Sequence, residues 1–312
     1  MSSLDFSDRV AIITGAGGGL GKAHALELAR RGAKIVVNDL GGAVDGSGGS
    51  GSAAQTVADE IIADGGDALA DGANVTRDAE VKAMVDAAMD KWGRVDILIN
   101  NAGILRDKTF HKMDMADFRT VIDVHLIGSA LCTHTVWPIM REQAYGRVIF
   151  TSSPSGLHGI FGQANYGAAK AGMIGLMNAL HLEGAKYNIH TNLLAPSART
   201  RMTEDLGIPE PVLAQLTPEA ITAAAVYLAS KGAPSRQIIS CAGGGYAAAH
   251  IAETAGVYLP PAQQTAEDIA AHWEALSARD DLKFYTDIFN TAIGIGRQGA
   301  TVGLLSGISN DV

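Results

Sequence analysis

Tyr166 and Lys170 stand four residues apart, a spacing that puts both side chains on one helix face, a turn apart. A free tyrosine titrates near ~10 and is a poor base at neutral pH. An ammonium group a few ångströms away favours the phenolate and lowers that value. Ser153, thirteen residues upstream, adds a hydroxyl able to bond the same reacting oxygen. Together the three side chains predict a proton-transfer site for an alcohol or its carbonyl partner. Tyr and Lys also recur at this spacing on solvated helices, so the surrounding elements must decide.

Those elements begin with residues 10–14, an apolar run that stops at glycines as a buried parallel strand does. Gly15, Gly17, Gly19, Leu20 and Gly21 then form a turn leading into a helix over 22–30, and a second buried strand spans 34–38. Asp39 ends that strand, about 20 residues after the glycines, as in a dinucleotide-binding βαβ unit. The glycines let backbone approach a pyrophosphate, and the helix N-terminus offers amides and a positive dipole end. A carboxylate at position 39 suits the two adenosine-ribose hydroxyls and repels a 2′-phosphate, so NAD is the expected cofactor. Residues 41–52, rich in Gly and Ser, form a mobile loop that either folds over the adenosine or remains surface.

Further along, helices are predicted over 53–63, 79–91, 115–142, 167–187 and 217–230. Strands are predicted over 67–74, 95–99, 147–151, 189–194 and 237–241, the last closed by Gly243, Gly244 and Gly245. Strands alternate with helices and nothing repeats, which predicts an α/β fold with one doubly wound parallel sheet, a Rossmann fold. The expected division is a single domain over 1–250 and a C-terminal extension over 251–312, with a helix over 265–276. That extension could complete a substrate pocket, reach a partner subunit or cover a sheet edge.

The chain of 312 residues is 47% apolar and 18% charged, enough for a large core. A net charge of −9 argues against nucleic acid or an anionic membrane as partner. Cys132 and Cys241 lie in apolar surroundings and predict free thiols in a reducing compartment. Neither a secretory leader nor a membrane span nor a terminal sorting signal is read, so a cytoplasmic enzyme is expected. No metal is expected.

Assembled, these residues resemble the short-chain dehydrogenase/reductase family over about residues 5–246. Thr14 with the glycine turn matches the family's cofactor motif, and Asn100-Asn101-Ala102-Gly103 its Asn-Asn-Ala-Gly element. Ser153, Tyr166 and Lys170 match its catalytic trio. The resemblance implies that Asn74 and Val75 lie beside the adenine, and that Asn101, Ala102 and Gly103 line the cofactor site. It implies that Tyr166 and Lys170 also touch the cofactor, with Lys170 on its ribose hydroxyls. Pro196, Ala198 and Thr200 are implied at the nicotinamide carboxamide, although Ser197 replaces the family's usual glycine. His125 stands where the family usually carries an asparagine in a proton relay through water, and is implied to do the same.

Within the family, the runs around Asp39, Asn100 to Asp107, His125 and Gln163 are similar to the dehydrogenase part of the peroxisomal multifunctional enzymes of type 2, also known as 17β-hydroxysteroid dehydrogenase type 4. This implies NAD-dependent oxidation of (3R)-hydroxyacyl-CoA to 3-ketoacyl-CoA, with Tyr166 as general base, in a homodimer or, as second choice, a tetramer. Leu157, His158, Ile160 and Phe161 fall at the family's substrate wall, with Ser153 and Gln163. Arg106, Lys108, His111 and Lys112 form a basic cluster that either meets coenzyme A phosphates or stays solvated, and Arg199 and Arg201 share that ambiguity. A 17β-hydroxysteroid or steroid side-chain hydroxyacyl-CoA dehydrogenase is the alternative, and an idle NAD-binding redox sensor a remote one. The intact trio argues against a sensor, which needs none of the three.

Overall fold

The computed structural model describes residues 4–50, 52–198 and 214–285. The chain divides into two compact units, 1–249 and 250–312. The first is built on β1 (Val10–Thr14), whose five residues are all buried. Parallel neighbours flank it: β2 (Lys34–Asn38) on one side and β4 (Ile97–Asn100) on the other. β3 (Ala68–Asp71) continues the sheet beyond β2. β5 (Gly146–Thr151), β6 (Ile189–Ser197) and β7 (Ile238–Ala242) continue it beyond β4, all parallel. The order is β3-β2-β1-β4-β5-β6-β7, with an eighth strand outside β7. Unbroken Val, Ile and Leu runs suit strands covered on both faces.

Two cores do the covering. On one face α1 (Gly19–Arg30), α2 (Ser52–Ala63) and α8 (Pro218–Ala229) bury Leu28, Val57 and Ile221. On the other, α3 (Asp78–Trp92), α5 (Gly128–Gln143) and α7 (Ala164–Gly184) bury Met84, Val136 and Met173. The chain leaves β1 in one direction and returns to β4 in the other, so connections diverge at the carboxyl ends of these two strands. Ligand crevices form at such a switch point.

Two elements differ from the sequence reading. β7 is not the last strand: Gly243 and Gly244, at φ +51° and +84°, turn the chain into an antiparallel β8 (Gly245–Ala249). Paired positive-φ residues form the tight turn that hairpins favour. The helix expected over 115–142 is interrupted as well. After α4 (Met115–Ile122) a π-helical turn spans Asp123–Ile127 before α5 begins. Such turns insert a residue and re-aim the side chains around them; here the turn carries His125.

In the second unit Thr265 accepts from the Asp268 amide and caps α9 (Ala266–Ala271), with α10 (Trp273–Ser277) following. The single helix expected over 265–276 is thus broken at His272, whose Nδ1 lies 2.7 Å from the Asp268 carbonyl. None of this unit's described residues is buried.

Candidate active site

The carboxyl ends of β1, β2, β4, β5 and β6 open onto a cavity of about 540 Å³. At one end Gly15, Gly19 and Leu20 line it beside the start of α1. That helix has no side-chain cap and no acid in its first turn, leaving its amide dipole facing the cleft. Gly17 and Gly21 do not line the cavity. Gly17 instead donates its N–H to Asp39 Oδ2 at 2.8 Å, and Gly21 is buried beneath the turn. The other carboxylate oxygen of Asp39 accepts from the Gly41 amide at 2.7 Å, which fixes the anion at the cavity wall.

Thr14 and Asn101 tie the turn to β4. Thr14 Oγ1 accepts from the Asn101 and Ala102 amides at 3.0 Å, and Asn101 Nδ2 donates to the Thr14 and Gly15 carbonyls. Asn101, Ala102 and Gly103 also line the cavity, as do Asn74, Val75, Pro196 and Ala198. Thr200, Arg199 and Arg201 lie outside the described residues. The residues present fit a dinucleotide: a glycine turn on an open helix end, a fixed carboxylate beside it, and backbone-lined walls.

The loop after Asp39 is organised. Gly42, Ala43, Val44 and Gly46 line the cavity, and Val44 accepts from the Leu105 amide at 2.9 Å. The loop therefore forms part of the cavity wall.

At the other end stand Ser153, Tyr166, Lys170 and His125, all lining the cavity. Ser153 caps the short α6 (Pro154–His158) by accepting from the Ser155 amide, and its hydroxyl acts on the Tyr166 phenol, favouring the charged form. Lys170 is buried, donates from Nζ to the Thr151 carbonyl and sits 5.4 Å from the Tyr166 ring centre. The electrostatics depart from the simple Tyr–Lys expectation. Burial pushes the Tyr166 hydroxyl up to about 12, against the lowering effect of Ser153. Burial likewise pushes Lys170 down to about 7. Both groups share one desolvated pocket, and each loses the hydration of its charged form. Lys170 therefore does not by itself hold the tyrosine as phenolate.

His125 is buried edge-on to Tyr166, ring centres 5.1 Å apart. Its Nε2 lies 2.8 Å from the Ile104 carbonyl and accepts the Ile104 amide at 3.0 Å in the other tautomer. Nδ1 has no partner among the described residues. Burial and the nearby Lys170 hold the imidazole well below its usual range, so it is neutral. Gly103 permits this packing, since a Cβ there would collide with His125 Cε1.

The substrate residues divide. Ser153 and Gln163 line the cavity, joined by Ile160. Leu157 packs against the core instead, and His158 and Phe161 face solvent, Phe161 with 89% exposure. The one-turn α6 causes this by rotating the segment between Ser153 and Tyr166. Gln163 donates to Asp107 Oδ2 at 2.6 Å, and Lys108 donates its amide to the Gly162 carbonyl, so the 105–109 stretch is stitched to the catalytic segment. In the basic cluster, Arg106 is paired with Asp117 at 2.8 Å. Ile104, Leu105, Val124 and Leu216 line the cavity without having been singled out. For Ile104 a signal existed, since it follows the Asn-Asn-Ala-Gly motif directly.

Comparison with known proteins agrees with this geometry. Residues 9–210 match the short chain dehydrogenase family. The chain is 47% identical over 285 residues to the peroxisomal hydratase-dehydrogenase-epimerase of Saccharomyces cerevisiae, covering 90% of this chain and 31% of that protein. The full-length peroxisomal multifunctional enzyme type 2 of Drosophila melanogaster superposes with a TM-score of 0.76 at 34% identity, over 93% of this chain and 49% of that one. A 7α-hydroxysteroid dehydrogenase complexed with NADH and 7-oxo glycochenodeoxycholic acid gives 0.71 at 32% identity, over 78% of this chain and 98% of that one. The chain thus spans about a third to a half of these two multifunctional proteins. It belongs to the short-chain dehydrogenase/reductase family and is an oxidoreductase acting on CH–OH groups.

Proposed function

We propose that this chain oxidises a (3R)-hydroxyacyl-CoA thioester to the 3-ketoacyl-CoA with NAD, in a β-oxidation type of pathway. The observation that carries the chemistry is that Ser153, Tyr166, Lys170 and His125 line one cleft, with Lys170 and His125 against the Tyr166 ring and Asp39 lining the same cleft. When bound, the nicotinamide ring accepts the hydride from the carbinol carbon. Tyr166 takes the hydroxyl proton, and Ser153 donates to the same oxygen as charge develops on it. Lys170 contributes positive charge beneath the ring whenever it is protonated, which favours the phenolate. His125, neutral and fixed by Ile104, stands edge-on to Tyr166, with an Nδ1 that has no partner among the described residues. In the reverse direction the neutral Tyr166 hydroxyl is already the acid required.

Asp39 supports NAD over NADP, because its fixed anion would repel a 2′-phosphate and has both oxygens set at the cleft wall. The acyl-CoA reading draws on the likeness to the multifunctional relatives and on apolar Ile160, which lines the cavity beside the catalytic residues. The similarity to a hydroxysteroid dehydrogenase favours steroid alcohols as the second reading. Exposed Ile127, at the end of the π turn, and Leu182 on α7 support a homodimer. Free, buried Cys132 and Cys241 suit a reducing compartment and a cytoplasmic enzyme.

Recording NADH formation across (3R)-hydroxyacyl-CoA chain lengths and steroid alcohols, on protein sized by light scattering, tests these readings together. Activity on the thioesters is expected; activity on steroids alone would transfer the assignment, and activity on neither would sink it.

A further inference from the structure

Arg106 carries a cation, yet its side chain is only partly exposed and engaged away from solvent. Its Nε donates to the Asp45 carbonyl at 2.9 Å, in the middle of the glycine-rich loop. Its Nη1 donates to Asp117 Oδ1 at 2.8 Å, on α4. Its own carbonyl accepts from Asn165 Nδ2 at 3.0 Å, and Asn165 Oδ1 in turn accepts the Tyr166 amide at 2.8 Å. The neighbouring Leu105 amide donates to Val44 at 2.9 Å. The loop these contacts hold contributes Gly42, Ala43, Val44 and Gly46 to the cavity wall, whereas Arg106 does not itself line it.

We propose that Arg106 is a positioning residue that clasps the 41–50 loop over the Asp39 end of the cleft, and so sets how tightly a nicotinamide dinucleotide is retained. The inference rests on reading the cleft as a dinucleotide site. A loop of glycine and serine loses much chain entropy when it closes. Something must hold it, and two charge-assisted bonds from one guanidinium to a loop carbonyl and a helix carboxylate do so. Apparent affinity scales with the fraction of molecules whose loop is closed. The same residue's backbone reaches the catalytic helix, so loop and tyrosine are registered against one stretch of chain.

Two readouts test the clasp: hydrogen–deuterium exchange of the 41–50 amides in ligand-free protein, and NADH binding by fluorescence titration. In Arg106→Leu, loop exchange and the NADH dissociation constant should each rise on the order of 10-fold, the size expected for losing charged hydrogen bonds. KM for NAD should follow, kcat should stay within about 2-fold, and exchange in α7 should not move, since the backbone bond to Asn165 persists. Arg106→Lys should recover part of the effect, because an ammonium reaches one acceptor but cannot fork to both. Asp117→Asn, which leaves the loop contact intact, should give an intermediate rise in loop exchange and serves if Arg106→Leu folds poorly. Unchanged loop exchange, or unchanged NADH affinity, in a folded variant overturns the clasp. Wild-type protein that binds no NADH overturns the dinucleotide reading beneath it.

Discussion

β5 carries a buried cation at one end and supports another at the other end, and the two are treated in opposite ways. Near its amino end, Arg147 is 1% exposed and donates to the carbonyls of Gly146, Asn188, Ser230 and Lys231 at 2.7–3.0 Å, with its guanidinium 4.4 Å from the Tyr145 ring centre. Close by, Asp96 accepts from Arg9, the Val10 amide and both nitrogens of the Arg94 fork. At the carboxyl end, Lys170 is equally buried but has one protein acceptor, the Thr151 carbonyl. His125 Nδ1, Thr151 Oγ1, Asn100 Oδ1 and Ser155 Oγ have no protein partner among the described residues. A buried charge whose donors are all used is a structural pin. One left with spare donors, among polar atoms also unpaired, has capacity for a ligand and for proton movement.

Tyr166→Phe tests the chemical end and should have the largest effect. Turnover is expected to fall by roughly 10²–10⁴-fold, the usual worth of a positioned acid–base group, while NADH affinity stays near that of the wild type. The wild-type rate of alcohol oxidation should climb with pH through the alkaline range. The sign follows from burial: with the tyrosine pushed up to about 12, the phenolate fraction grows with each rise in pH below that value. A flat profile, or turnover surviving the substitution, would remove the distinction between the two ends.

Arg147→Met tests the structural end. The apolar stem is kept, but four carbonyls, those of Gly146 and Ser230 buried, lose a donor, at an expected cost of about 3–5 kcal/mol in urea unfolding. At temperatures where the variant remains folded, KM for NAD and the oxidation rate should be unchanged. An active-site defect in folded protein would mean that the two ends are coupled through β5, and the contrast would lose its meaning.

Much of this arrangement was legible in the sequence because it is local. The strand, glycine turn, helix and Asp39 are consecutive, and Tyr166 and Lys170 share a helix. What escaped notice depends on contacts between distant segments. Residues 41–50 read as mobile from composition, yet Val44 and Asp45 are held by Leu105 and Arg106, some 60 residues on. The position of His125 was readable by resemblance, but not its orientation, which follows from the π turn and the backbone of Ile104. Leu157, His158 and Phe161 were assigned to the substrate wall by order along the chain; the one-turn α6 after Pro154 sends them elsewhere. β8 was missed because three glycines look like an end, and the Ala-rich strand after them lacks the β-branched residues that signal one. Residue spacing also carries no measure of burial, so it suggested a lowered tyrosine where the structure raises it.

His24 gives the finest division, because it shares a feature with each end. It is fully buried on α1, its Nδ1 lies 2.8 Å from Thr222 Oγ1 on α8, and its Nε2 has no partner among the described residues, yet it does not line the cleft. If unpaired buried nitrogens signal function only where they face a cavity, His24 should act on stability alone. Burial depresses it from 6.5 to about 4. Between those values the unfolded chain binds a proton that the folded one refuses, so the contribution is fully present above pH 6.5 and is lost as pH falls toward 4. At the low end of that window the loss should approach about 3 kcal/mol. Replacing His24 with Gln removes the titration, so the difference in urea stability between pH 7 and pH 4.5 should shrink in the variant while NADH affinity at pH 7 stays the same. An equal pH difference in both proteins would assign the acid sensitivity to other groups, and a loss of NADH affinity would show that an unpaired buried nitrogen matters even away from the cleft.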